Sequence, residues 1–564
     1  MKIIEVTKEV NIGHVPGRVD FFFNPEIFLS KNKLVVPQQM QKIPYTKPIV
    51  ISFISIWIFS FSRTENENHT TITSPDLIQK QTSDSLTGKE LAGQYCQSCH
   101  ILPDPSLLDK NTWITSVLPN MGLRLGVKSA GRNPYQDLPE EEKKRIRDLD
   151  IYPENQIVSD DEWAKIVAYF ELEAPAMPLP QRNVLPITAN LPLFKTQEIM
   201  LGDKPFPQTT LLKFDKSTSR LYVGDAQNTL YILDNQFNLK ETKSIDSPPT
   251  DIDFPAYAAP RLLMIGSFKP SEQRSGRLLS LALEQKTKSS YLNIEGLHRP
   301  VQFVSSDINM DGKEDALICE FGNHSGKLFW YDNFQPTKEH VLKAFPGARK
   351  VEIADFNHDK KPDVMVLMAQ AREEMAIFYN LGNGKFQEKT LMRFQPLFGA
   401  SYFELTDFNQ DGFQDILLTN GDNWDYSAVK KNYHGVRIYL NDGKDNFKQM
   451  FFYPLYGTSK AIARDFDNDG DIDLAAISFY TELDNPEQRF IYLSNEGELH
   501  FKAFSTPAAA NGKWLTMDAA DFDHDGDQDI VLGSYFHNLS ELTTLIFQGI
   551  TSFPQLLVLT NGTK

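Results

Sequence analysis

The sequence predicts a multidomain chain: a small all-α domain followed by an all-β propeller of seven four-stranded blades. Three observations carry this. An Asp-rich nine-residue loop recurs five times, with first residues at 307, 355, 407, 465 and 521. Each copy lies between short apolar runs rich in β-forming residues. Upstream, between residues 85 and 178, apolar positions follow helical spacing, and Cys96-Gln97-Ser98-Cys99-His100 ends the first helical run.

The loop is clearest at Asp465-Phe466-Asp467-Asn468-Asp469-Gly470-Asp471-Ile472-Asp473. Oxygen-bearing side chains stand at positions 1, 3, 5 and 9. Calcium takes six to eight oxygen ligands at about 2.3–2.6 Å, and side chains two apart on a tight loop converge on one ion. Position 7 offers its backbone carbonyl, and glycine at position 6 permits a positive φ. Leu474-Ala475-Ala476-Ile477 follows, so the loop feeds a strand and not an EF-hand helix. The candidate ligands are Asp307, Asn309, Asp311 and Asp315; Asp355, Asn357, Asp359 and Asp363; Asp407, Asn409, Asp411 and Asp415; Asp465, Asp467, Asp469 and Asp473; and Asp521, Asp523, Asp525 and Asp529. Up to five Ca²⁺ are expected, the weakest at loop 355, where Lys360 replaces the glycine. A solvated Asp-rich turn accounts for any single copy, but five copies in period do not fit that reading.

A period near 50 residues reads as propeller blades. Val351–Ala354, Val364–Leu367 and Met375–Tyr379 are three strands of one unit, and Asn380-Leu381-Gly382-Asn383-Gly384 turns the chain into a fourth. Two further units without the loop lie at Leu221–Leu233 and Leu262–Leu281. Seven units over residues 205–545 give about 49 residues each. The repeats resemble the FG-GAP/VCBS family, the integrin-α-like propeller, over residues 205–564. Loops 407, 465 and 521 carry the family's D-x-[DN]-x-D-G-x-x-D pattern with Phe408, Phe466 and Phe522 at position 2; loop 307 has Ile308 there.

The C-x-x-C-H pattern is the attachment signal for c-type haem: Cys96 and Cys99 for two thioethers, His100 as the proximal iron ligand. A redox dithiol has no use for the histidine. A structural zinc site needs two more ligands, and residues 101–180 hold neither Cys nor His. The sixth ligand is then a methionine, Met121 or Met177, with Met121 preferred because it lies inside the compact segment. Ser159-Asp160-Asp161-Glu162 starts a helix whose Trp163, Ile166, Val167 and Phe170 share a face. Residues 85–178 resemble the cytochrome c family, which implies one covalent haem c and electron transfer; the short interval from His100 to Met121 departs from the family pattern.

Cys319, the third cysteine, lies in an apolar run and reads as a buried core thiol. With three cysteines there is no disulfide framework. Ile49–Phe61 is thirteen apolar or serine residues, short of the roughly 20 a spanning helix needs, and fits a signal peptide or an uncleaved membrane anchor over 40–63. Residues 1–39 then read as an extension ahead of a start at Met40, 64–84 as a flexible linker and 179–204 as a second linker. The signal, haem and calcium together place the chain in the periplasm or at the cell surface. A net charge of −17 argues against nucleic acid as partner.

The leading expectation is an electron-transfer protein, working with a redox partner protein or a small-molecule donor or acceptor. Alternatives are an adhesion or carbohydrate-binding propeller with an accessory haem module, and a propeller oxidoreductase that feeds the haem. No catalytic set is visible in the propeller. Trp330, Trp424 and Trp514 are its aromatic candidates for a glycan or protein ligand, with blade packing as the alternative.

Overall fold

Helical caps and β patterning shape the elements of the chain. The computed structural model describes residues 86–563, apart from 129–131, 203, 205, 282–291, 422–426, 428, 480–484, 538, 548 and 551. The signal or anchor, the first linker and Trp424 lie outside the described residues. Among those described, no helix is long and apolar enough to cross a membrane.

Helix α1 (Gly88–Cys96) begins at Thr87, whose hydroxyl accepts from the Glu90 amide while the Glu90 side chain returns to the Thr87 amide. A helical run from Lys110 passes through a π-helical turn, Trp113–Val117, into α2 (Leu118–Arg124). Helix α3 spans Glu140–Asp148. Helix α4 (Asp160–Glu173) has the same reciprocal cap, Ser159 with Glu162. Its Ile166 and Phe170 are buried against Leu91, Ala92 and Trp113. Gly88 lets α1 and α4 cross closely, since a Cβ there would stand 2.1 Å from the Lys165 carbonyl oxygen.

Residues 194–561 form seven sheets closed in a ring. Blades 1 to 5 use four consecutive strands each. They begin at Thr209–Asp215, Pro249–Asp253, Pro300–Ser306, Ala348–Ala354 and Ala400–Thr406. Blade 6 (from Thr458–Arg464) carries a fifth strand, Ile187–Thr188, parallel to its outer edge. Blade 7 (from Trp514–Ala520) has three strands of its own and takes Phe194–Ile199 as its fourth, antiparallel to Leu556–Asn561. The run 179–204, read as a linker, therefore supplies two outer strands, and one of them closes the ring. Seven blades agree with the sequence expectation, although the last one ends at Asn561 and borrows from upstream.

Second strands such as Asp363–Met368 and Asp473–Ser478 are buried along their whole length, which explains their unbroken apolar runs. Cys319 is one of these residues and is fully buried. Trp330 and Trp514 are also core residues, so they are packing aromatics and not exposed platforms.

First strands line the axis, each packed against the next around the full ring. They are too far apart to form a sheet, and side chains bridge them. Thr210 donates to the Pro249 carbonyl, and Asp251 accepts from the Phe303 amide. Gln302 accepts from Val351, and Arg349 donates to the Ser401 carbonyl. Glu404 accepts from Ala463, Lys460 donates to the Met517 carbonyl, and Asp518 accepts from Phe214. All seven junctions are thus joined by a side chain bonded to main chain.

Candidate functional sites

Because neighbouring strands within each blade are antiparallel, every loop between first and second strands lies on one face of the ring. The five Asp-rich loops sit there. Loops between second and third strands lie on the opposite face, and there the helical segment is seated. Glu142 of α3 accepts from the Glu272 amide at 2.8 Å and from the Gln273 side chain at 2.9 Å, while Arg145 donates to the Glu272 carbonyl. Arg124 lies 3.5 Å from Nδ1 of His324. Leu397 and Val429 of the propeller pack on the helical core.

Each Asp-rich loop folds through its own side chains. In loop 307 the Asp311 amide donates to Asp307 and Asn309, both at 2.9 Å, and the Gly312 amide donates to Asp307. Loops 355, 407 and 521 repeat this pattern. In loops 465 and 521 the carboxylates at positions 1, 3 and 5 converge, with one oxygen from each within 4.8 Å of the others. Position 6 is left-handed throughout, including Lys360 at φ 66°.

The ninth residue does something the sequence did not reveal. Asp473 accepts from the Phe466 amide at 3.2 Å, the Asn495 amide at 2.7 Å and the Tyr492 hydroxyl at 2.8 Å. Burial pushes its carboxyl up to about 7. Asp315, Asp363, Asp415 and Asp529 make the same two main-chain contacts. The ninth residue thus ties the loop to the third strand, and its Oδ1, which accepts one main-chain amide, keeps a lone pair that a cation could use. Sequence reasoning also missed Asn380, Asn441, Asn495 and Asn561. Each donates its side-chain amide to the carbonyl of its own loop's eighth residue, and Asn380 and Asn561 also reach the neighbouring blade's loop. The recurring N-x-G and N-G turns were their signal in the sequence.

The acidic residues present suit a divalent cation. Both side-chain oxygens of Asp527 and Oδ1 of Asp465 are buried with no hydrogen-bond partner. Burial, together with Asp525 beside it, raises the Asp527 carboxyl to about 7. An uncompensated buried carboxylate is costly, and a cation would relieve it.

At the other site, Cys96 and Cys99 are unpaired thiols at the end of α1, Cys96 half-buried and Cys99 exposed. Burial, with Cys99 beside it, raises the Cys96 thiol to about 11. His100 donates from Nδ1 to the Ile101 carbonyl at 2.8 Å, which leaves Nε2 of the neutral ring as an acceptor with a free lone pair to offer a metal. Burial, with Arg124 and Arg372 nearby, holds the ring below the usual imidazole value. Met121 is half-buried on the core that Cys96 also packs against, whereas Met177 is 73% exposed. A cavity of about 360 Å³ opens among Ile114, Leu118, Gly122, Trp163 and Val167. Two unpaired thiols three residues apart, followed at once by an oriented neutral imidazole, form a donor set that fits a covalently held haem.

A family model described as an FG-GAP-like repeat matches residues 307–366 and 465–532, which contain loops 307, 355, 465 and 521. The chain carries FG-GAP-like repeats. No curated protein matches it. Among solved structures it is similar to the WD40 domain of Neurospora crassa Pan2, at 9% identity and TM-score 0.40, covering 67% of this chain and 98% of that one. It is also similar to the N-terminal domain of Nup159, at 11% identity and TM-score 0.37, with 67% and 98% covered. At this identity and score neither likeness bears on function.

Proposed function

We propose that this chain is an exported electron-transfer protein. Cys96 and Cys99 would hold one haem c, His100 would be its proximal ligand and Met121 the sixth, with cytochrome c-like helices around them. The observation that carries the reading is the pairing of C-x-x-C-H with a His100 ring oriented by the Ile101 carbonyl. The haem would supply one-electron chemistry. The chain's own residues do the rest: the thiols would anchor, and Ile101 sets the tautomer of His100.

The propeller would act as a calcium-stabilised docking platform for a redox partner protein or a small-molecule donor or acceptor. Carboxylates at loop positions 1, 3, 5 and 9 would bind up to five Ca²⁺. Calcium at extracellular levels suits such sites, consistent with a periplasmic or cell-surface location and with membrane association through residues 49–61. Intact-mass spectrometry of the chain exported from cells with haem-attachment machinery tests this. A mass gain of one haem, lost in Cys96→Ser/Cys99→Ser, is expected. Unmodified thiols in the exported protein would overturn the reading.

A further inference from the structure

We propose that the propeller is part of the redox centre and not only its support: Arg372, carried on blade 4, is a positioning residue that fixes the Cys96–His100 turn and holds a positive charge beside the iron ligand, raising the reduction potential of a haem attached there. This rests on the haem reading above.

Arg372 lies in the loop between Asp363–Met368 and Glu374–Gly382, on the face that receives the helices. Its Nε donates to the carbonyl of Cys99 at 2.8 Å. The guanidinium stands 4.4 Å over the Phe345 ring, which fixes its plane. Next to it, Glu373 is buried and accepts from the Gly399 amide at 3.1 Å and the Ala400 amide at 2.9 Å, anchoring the loop to blade 5. The arginine is therefore held at its root by a buried carboxylate, at its plane by an aromatic ring and at its tip by the residue preceding the iron ligand. A second cation, Arg124, follows Met121 by one turn of α2 and meets propeller residue His324. Neither arginine has an ion-pair partner among the described residues.

Reduction adds one electron and lowers the charge of the iron by one. A nearby fixed positive charge then favours the reduced state by Coulomb's law, and because Arg372 is exposed the effect is modest and screened by salt. The helical segment alone would lack this charge, since Arg372 comes from the propeller.

The test is an equilibrium redox titration of the full, haem-loaded chain as wild type, Arg372→Ala and Arg372→Lys. At a fixed potential the alanine variant is expected to show a reduced-to-oxidised ratio lower by about threefold to tenfold, tenfold being 59 mV for one electron. The lysine variant keeps the charge without the clamp and should retain most of the wild-type ratio. High salt should narrow the difference. An alanine variant that titrates like wild type, or alanine and lysine variants shifted equally, overturns the proposal. A wild type without a haem spectrum is seen before any titration and refutes the haem reading instead.

Discussion

Phe194→Ala probes the strand that closes the ring. Phe194 is 7% exposed, with its ring 5.7 Å from Phe466 and 5.5 Å from Tyr492, both edge-on. Its strand pairs with Leu556–Asn561 in register from Phe194 with Asn561 to Ile199 with Leu556. Truncating a buried Phe costs about 3–5 kcal/mol through lost transfer energy and the cavity left behind. Two edge-on aromatic contacts lie within that figure, at about 0.5–1.5 kcal/mol each. The cost should sit near the middle of the range, about 4 kcal/mol, because Phe466 and Tyr492 are pinned by their own partners and cannot collapse into the gap. Urea denaturation followed by tryptophan fluorescence measures it. A linker residue would cost under about 0.5 kcal/mol. A measured loss below about 1 kcal/mol would refute the closure argument.

Lys360→Gly should stabilise the chain by about 1 kcal/mol, because Lys360 is held at φ 66° and glycine carries no Cβ penalty there; a destabilised variant in chemical denaturation would contradict this. Calcium added to chelator-treated protein should raise the melting temperature, with about 2.7 kcal/mol for a site at 100-fold excess over its Kd; an unchanged melting curve would count against the cation sites. Burial lowers His324 to about 4 from an ordinary 6.5, with Arg124 adding to the effect. A base depressed in the fold gives stability that is present above 6.5 and lost as pH falls toward 4, since only the unfolded ring takes the proton there. The loss from this group should be at most about 3 kcal/mol. His324→Gln should flatten the stability curve across that window, and parallel curves for the two proteins would exclude the assignment.

The blade count, the loops and the capped helices were legible in the sequence because each is local. Gly470 and its counterparts mark turns, alternation and apolar runs mark strands, and Ser159 with Glu162 marks a helix start. Phe194–Ile199 was not legible, because its only signature is pairing with a strand more than 350 residues away. Its flanking prolines and polar residues read as linker. The first-strand side chains hid for a similar reason. Asp251, Gln302, Glu404 and Asp518 look like solvent-facing residues until the ring brings a neighbour's amide to each. At the C-x-x-C-H turn, the cysteines and His100 were readable from spacing, whereas Arg372 lies more than 270 residues away and has no motif.

The reduced-minus-oxidised absorbance spectrum of the exported, intact chain tests the central claim most directly. A low-spin c-type spectrum that changes on reduction and disappears in Cys96→Ser/Cys99→Ser is expected. A chain exported through haem-attachment machinery that shows no visible absorbance would contradict it.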